Sequence, residues 1–261
     1  MQRKDILITA LKAAGEEMLK HDPAQTETSV KSTAGDLVTA ADLASEKIIV
    51  DTIKAAFPED LVISEETEES HGKLNDNDLP QLTGWVVDPI DGTYNFKRGM
   101  SYSAVSIGYI KNGEPFLGGI FNPYRNELYI AEVNLGATCN GKPIHVSTKH
   151  VFDGATRVCA GNGMAPGATQ TNLATFAKLG DVWVDVLGSA VLMMSDVASG
   201  RLDLYFHNGL KPWDNAAVFL IAQEAGAKIV GLKGQPVTWL TSDVVLGNPE
   251  LVDLFIQKTV S

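Results

Sequence analysis

The sequence has little that would suit an extracellular or membrane protein. Its 261 residues include two cysteines, Cys139 and Cys159. Two are too few for a disulfide framework or a paired-cysteine metal site, and they suit free thiols in a reducing compartment. No apolar run approaches the roughly 20 residues that cross a bilayer. Met1–Lys20 mixes Lys, Asp and Glu with its apolar residues, which a secretory leader would not, so the chain reads as cytoplasmic. Positive charge is also scarce. The formal net charge is −11, from 21 Lys and Arg against 32 Asp and Glu. No Lys/Arg cluster offers a nucleic-acid footprint. An anionic substrate would have to be met by a local cation or by backbone amides. Internal repeats and low-complexity linkers are absent too.

What remains is an ordinary globular composition, 44% hydrophobic and 20% charged. Its length can bury a sizeable core. The simplest organisation is one unit over residues 1–261, with two halves meeting near 140–155. Leu7, Leu11, Ala14 and Met18 share a helical face near the N-terminus. The polar stretch from His21 to Gly35 reads as a loop. "DLVTAAD" leads into a second helix that Pro58 stops. "LVISEE" is a short strand ending in acids, and "NDND" at 75–78 reads as a plain surface turn. From Ala104 to about Val133 three strand-like runs, split by "KNGEP" and "NPYRN", predict an antiparallel meander. Beyond it, helices near 170–179, 190–199 and 215–225 alternate with strands "VWVDVL", "LDLYF", "KIVGL" and "VVL", and a last helix starts at Pro249. Helices and strands mix without a strict βαβ repeat, which makes the class α+β or layered α/β.

The stretch "WVVDPIDGTYNF" at 85–96 carries the chemistry. Trp85, Val86 and Val87 read as a buried strand that ends on Asp88, where a carboxylate is unfavourable unless paired or metal-bound. Asp91 follows three residues later, and Pro89 fixes the turn between them. Glu65 after "LVIS" and Asp214 in "KPWDNAAVF" have similar settings. Asp214 occupies what reads as a helix N-cap position. Oxygen ligands without His or Cys suit Mg²⁺. Gly92 and Thr93 would offer backbone N–H groups to a phosphate at the start of the next segment. Acids for metal beside amides for phosphate suggest metal-assisted hydrolysis of a phosphate ester.

These motifs resemble the inositol monophosphatase family of Mg²⁺-dependent, lithium-sensitive phosphatases. The likeness covers nearly the whole chain: "DLVTAAD" (36–42), "ISEE" (63–66), "WVVDPIDGTYNF", "GATCNGKPIHVS" (136–147), "GSA" (188–190) and "WDNAAVFLIAQEAGA" (213–227). It implies a layered αβαβα sandwich of the inositol monophosphatase and fructose-1,6-bisphosphatase type, commonly dimeric, so a homodimer is expected. It also implies two or three Mg²⁺ per site. Glu65, Asp88 and the Ile90 carbonyl would hold one ion, Asp88, Asp91 and Asp214 a second, and Glu65 with waters a third. Thr93 and Asp42 would activate the attacking water, with Glu65 in support, and the Gly92 and Thr93 amides would bind phosphate. Asp91, Gly188, Ser189 and Ala190 would meet the alcohol moiety. Lys31 and Asp36 match a mobile loop near the metals.

The implied activity is Mg²⁺-dependent hydrolysis of a small sugar or polyol phosphate, inositol monophosphate first, by metal-activated water. Fructose 1,6-bisphosphate, histidinol phosphate and 3′-phosphoadenosine nucleotides are the other substrates in view. A non-catalytic binding or regulatory protein on the same scaffold is the reading from another class. The chain departs from many relatives at two positions. His207 stands seven residues before Asp214, where they have a glutamate that binds the sugar alcohol, so it reads either as a changed substrate pocket or as a strand-end residue without a role. Asp185 stands three before Gly188, where they have arginine.

Overall fold

The computed structural model describes residues 2–31, 37–67, 81–161 and 167–260. Asp36 and the "NDND" run lie outside the described residues. In chain order the elements are α1 (Arg3–Met18), β1 (Thr28–Val30), β2 (Leu37–Thr39), α2 (Ala40–Ala56), β3 (Leu61–Ser64) and β4 (Gly84–Asp91). A short helix α3 (Thr93–Lys97) then precedes β5 (Ala104–Lys111), β6 (Glu114–Asn122), β7 (Glu127–Glu132), β8 (Ala137–Cys139) and β9 (Lys142–Pro143). The remainder is β10 (Arg157–Ala160), α4 (Ala168–Leu179), β11 (Trp183–Asp185), α5 (Ala190–Ala198), β12 (Leu204–Asn208), α6 (Pro212–Glu224), β13 (Lys228–Gly231), β14 (Asp243–Gly247) and α7 (Pro249–Val260).

Two larger sheets and three helix layers make the expected α+β sandwich. The first sheet runs β3 to β9 in sequence order, and the second is ordered β11-β10-β12-β14-β13. Each interface has its own apolar cluster. Leu7, Leu11, Ile49 and Ile53 of α1 and α2 pack on Trp85, Val87 and Ile107 of the first sheet. Helices α5 and α6 fill the middle, between Ile110 and Ile120 on one side and Tyr205 and Leu246 on the other. Phe176 of α4 and Phe255 of α7 cover Phe206 and Val245 on the outer face of the second sheet. The first sheet ends at Pro143 and the second begins at Arg157.

Trp85 is wholly buried, and its indole N–H donates to Asp60 Oδ2 at 2.9 Å, so the polar edge of the ring is satisfied. Arg3 binds that same Asp60 carboxylate at 3.0 Å, closing the N-terminus onto the sheet.

Four local readings differ from expectation. The His21–Gly35 stretch is not all loop, because Thr28–Val30 pairs with Leu37–Thr39 as a hairpin. Strand β4 does not end at Asp88 but continues through Pro89 to Asp91. Strand β10 is an extra element, placed parallel between β11 and β12. Helix α6 begins at Pro212, not near 215, so Asp214 is its third residue rather than its cap. Proline fits a first helical position because its missing N–H has no partner there anyway.

Helix α6 lies very close to the first sheet. A Cβ built on Gly118 would sit 2.6 Å from the Ala217 carbonyl oxygen, and one on Gly108 would sit 2.8 Å from Ala216 backbone. Gly118→Ala should therefore lower stability by about 2 kcal/mol through overpacking. Urea unfolding of the two proteins checks this; equal midpoints would contradict so close an approach.

Candidate active site

The carboxylates of the "DPID" stretch share one side of the sheet because the strand is irregular. Residues three apart on a regular strand face opposite ways. Asp88 pairs with Ser106 and Asp91 with Ala104, with a register shift between them. Such a bulge re-aims side chains. Asp88, Asp91 and Asp214 thereby bring carboxylate oxygens within 4.8 Å of one another. Asp214 is held by its own helix start, its Oδ2 accepting the Lys211 N–H at 2.7 Å. The neighbouring Asn215 amide donates to the Trp239 and Thr241 carbonyls, both at 3.0 Å, which anchors that turn of α6.

Three carboxylates so placed repel one another. Burial first, then the charges of Glu65, Asp91 and Asp214, push Asp88 well above the usual carboxylate range. Burial and Asp91 do the same to Asp214. Burial lifts Asp91 to about 6, opposed by its hydrogen bonds. Oδ1 of Asp88 is buried without a hydrogen-bond partner among the described residues. An oxygen-only cluster with an unpartnered buried carboxylate oxygen fits a hard divalent cation.

Asp91 also ties the first sheet to the start of α5. Its Oδ2 accepts from the Ser189 hydroxyl and, at 3.0 Å, from the Val191 N–H at the start of α5. Ser189 in turn caps α5, accepting the Leu192 N–H at 3.2 Å. Asn95 donates to the Leu187 carbonyl at 2.7 Å and the Tyr102 carbonyl at 2.9 Å. Gly92, at φ +85°, leaves room for this junction: a Cβ there would lie 3.2 Å from Ser189 Cβ.

Thr93 opens α3 beside the cluster. Its hydroxyl lies 3.1 Å from Asp42 Oδ1 and 3.0 Å from the Ile90 carbonyl oxygen. Asp42 is the third residue of α2 and accepts from the Thr39 N–H at 2.8 Å and hydroxyl at 2.6 Å, so its orientation is locked by the helix start. Burial raises Asp42 to about 6, with the Thr39 bonds opposing.

The family model for the inositol monophosphatase family matches residues 2–261. The chain belongs to that family. It is 36% identical over 252 residues to an inositol-1-monophosphatase of Synechocystis sp. (strain PCC 6803), covering 95% of this chain and 85% of that protein. It is 35% identical over 252 residues to the Nus factor SuhB of Escherichia coli (strain K12), covering 95% and 92%. Among solved structures, an IMPase of Thermotoga maritima superposes with a TM-score of 0.86 at 29% identity, covering 98% of this chain and 96% of that one. An inositol-monophosphate-bound SaIMPase-II superposes at 0.79 with 26% identity, covering 98% and 93%. A 2′AMP-bound SaIMPase-II superposes at 0.79 with 27% identity, covering 97% and 92%.

Within this family framework the remaining expected residues fall in distinct places. Glu65 is not in the three-carboxylate group. Its Oε1 meets the Lys31 ammonium at 2.7 Å, which also meets Glu66 at 2.7 Å. Burial opposes the charge on Lys31, but the two glutamates hold its pKa above the ordinary value. Burial and then Glu65 lift Glu66 to about 8. Gly188 packs against the Asn95 amide, and Ala190 is the first residue of α5. His207 lies within β12, opposite Val244, its ring over Gly161 and its Nδ1 2.5 Å from the Tyr205 hydroxyl. Asp185 binds the Arg157 guanidinium through both oxygens, at 2.7 and 3.1 Å, so its negative charge is matched within the chain. Asn95, Thr39 and Glu66 escape sequence reasoning, although all three stand inside quoted motifs.

Burial lowers the His207 pKa from 6.5 to about 4. Between those values the unfolded chain takes up a proton that the folded chain refuses, so stability falls as pH drops through that window. From near pH 7 to near pH 4.5 the wild type should lose about 2 kcal/mol more than His207→Gln. Urea unfolding at both pH values checks this; parallel losses would contradict a buried neutral ring.

Proposed function

We propose that the protein is a Mg²⁺-dependent phosphomonoesterase acting on a small sugar or polyol phosphate, with inositol monophosphate as the preferred substrate. The observation that carries this is the Asp88–Asp91–Asp214 cluster, with Asp88 and Asp91 buried and Asp214 half-buried, beside the Thr93–Asp42 pair. The family model supports phosphatase chemistry. The inositol-1-monophosphatase among its relatives, and the inositol monophosphate held by a structural neighbour, support the substrate. The 2′AMP bound to another neighbour keeps a nucleotide monophosphate in the panel, with fructose 1,6-bisphosphate and histidinol phosphate.

Asp88, Asp91 and Asp214 would hold Mg²⁺, joined by Glu65 once Lys31 releases it and by the Ile90 carbonyl. Bound there, the ions supply a Lewis acid for the phosphate and its leaving oxygen. The chain's own residues manage the proton. A threonine hydroxyl is too weakly acidic to act alone. Thr93 can accept a proton from an attacking water while passing its own to Asp42. Burial makes Asp42 a better base than an exposed aspartate, and Thr39 holds it in place. The first N–H groups of a helix have no partner within it, so the Gly92 and Thr93 amides at the start of α3 would receive phosphate oxygens. Gly188, Ser189 and Ala190 would meet the alcohol moiety beside Asp91, a reading supported by the Ser189 hydroxyl's bond to the Asp91 carboxylate.

SuhB-named relatives favour a second reading, a protein-binding regulatory role. Retention of the clustered acids supports catalysis alongside it. We also infer a homodimer, because β11 is a sheet edge that exposes Trp183 (65%), Val184 (49%) and nearby Val186 (48%). Light scattering should give twice the chain mass; a monomer at micromolar concentration would contradict it.

Phosphate release from each candidate ester, with Mg²⁺ and with a chelator, tests the reading. Turnover is expected only with Mg²⁺, led by inositol monophosphate; turnover that survives chelation would contradict it. Asp88→Asn should lower turnover well beyond the roughly 100-fold typical of losing an outer-sphere partner, with the fold intact. Thr93→Val should lower kcat by about 10²–10⁴ with KM little changed, while Thr93→Ser restores most of it. Equal kcat for Val and Ser would remove the hydroxyl from the mechanism.

A further inference from the structure

Two buried polar atoms belong to residues that face each other across a strand pair beside the carboxylate cluster. Oδ1 of Asp88 and Oγ of Ser106 are both shielded from solvent and have no hydrogen-bond partner among the described residues. Asp88 on β4 is the register partner of Ser106 on β5. Directly opposed residues of an antiparallel pair project to one face with Cβ atoms about 4.5–5.5 Å apart. A serine hydroxyl and a carboxylate oxygen can meet across that gap by side-chain rotation alone. Two residues further along the same face of β5, Gly108 lies against Ala216 of α6. Ser106 is therefore near the helix whose first turn carries Asp214.

Packing alone gives no reason for serine at this position. A buried hydroxyl without a partner is unfavourable, and alanine would fill nearly the same space. An ionised carboxylate, by contrast, only accepts hydrogen bonds, so the useful neighbour for it is a donor. The donors on the neighbouring acids are the Lys211 N–H for Asp214, and the Ser189 hydroxyl and Val191 N–H for Asp91.

We propose that Ser106 is a positioning residue for the cation site, its hydroxyl donating to Oδ1 of Asp88 when that carboxylate turns toward a bound ion. The bond would occupy one lone pair and fix the direction of the rest. This rests on the reading of Asp88, Asp91 and Asp214 as a cation site. Outer partners of ligating carboxylates are typically worth 10–100-fold in metal affinity.

The test is a Mg²⁺ titration of the full chain, followed by calorimetry and by thermal unfolding, for wild type, Ser106→Ala and Ser106→Cys. Both variants should keep or exceed the metal-free melting temperature, since an unpaired hydroxyl is lost. Both should bind Mg²⁺ at least about tenfold more weakly. Cysteine is close to serine in size but a poor donor, so it covers the case in which alanine fails to fold. A merely structural serine would lower the metal-free melting temperature and leave the Kd alone. A Kd within about twofold of wild type in a folded variant overturns the positioning role. Wild-type protein that takes up no Mg²⁺ overturns the cation reading itself, and the role of Ser106 with it.

Discussion

The mutual repulsion of Asp88, Asp91 and Asp214 is the constraint around which the rest of the structure is arranged. Without a counter-charge, three carboxylates so placed favour protonation, and burial together with neighbouring carboxylates, Glu65 among them, raises all three above their usual range. Charge of this kind persists in an interior only when something compensates it. Some compensation is internal: Val191 and Ser189 on Asp91, and Lys211 N–H on Asp214. Asp88 has a wholly unpartnered buried oxygen among the described residues. Nearby, the Lys31 ammonium sits on Glu65 and Glu66, a cation already drawn to the acidic edge of the site.

The cluster is assembled from the first sheet and the middle helix layer, so the fold has to hold them in register. Strand β4 brings Asp88 and Asp91 from the first sheet, and α6 brings Asp214 from the middle layer. Asn95, Ser189 and Asp91 lock the turn after β4 to the start of α5. Each such buried hydrogen bond is worth about 1 kcal/mol net, and breaking one strands its partner at greater cost. The close contact of α6 with Gly108 and Gly118 fixes the height of Asp214 over the first sheet. Geometry at the site is thus set by backbone packing more than by the flexibility of the acids themselves.

Much of this is legible in the residue order. The apolar periodicity of α1 and the meander of β5 to β7 are local signals, and local signals survive folding well. The acids at 65, 88, 91 and 214 are legible because carboxylates after buried strands or at helix starts demand a reason. What sequence alone does not carry is register. The bulge that turns Asp88 and Asp91 to one side depends on pairing with β5, and Pro89 is its only local hint. The brevity of β10, four residues long, hides it from any periodicity argument. The partners of Asn95, 92 residues away at Leu187 and seven away at Tyr102, are tertiary facts. The departure at Asp185 is resolved by Arg157 only once β10 and β11 are known to pair in parallel.

The most direct measurement is anomalous scattering from crystals of the protein soaked in Mn²⁺, a stand-in for Mg²⁺ with the same preference for oxygen ligands. A peak enclosed by Asp88, Asp91 and Asp214, with Lys31 displaced from Glu65, is the expected result. Full Mn²⁺ exposure with no peak between those carboxylates, and Lys31 still on Glu65, would contradict the assignment of this cluster as a metal centre.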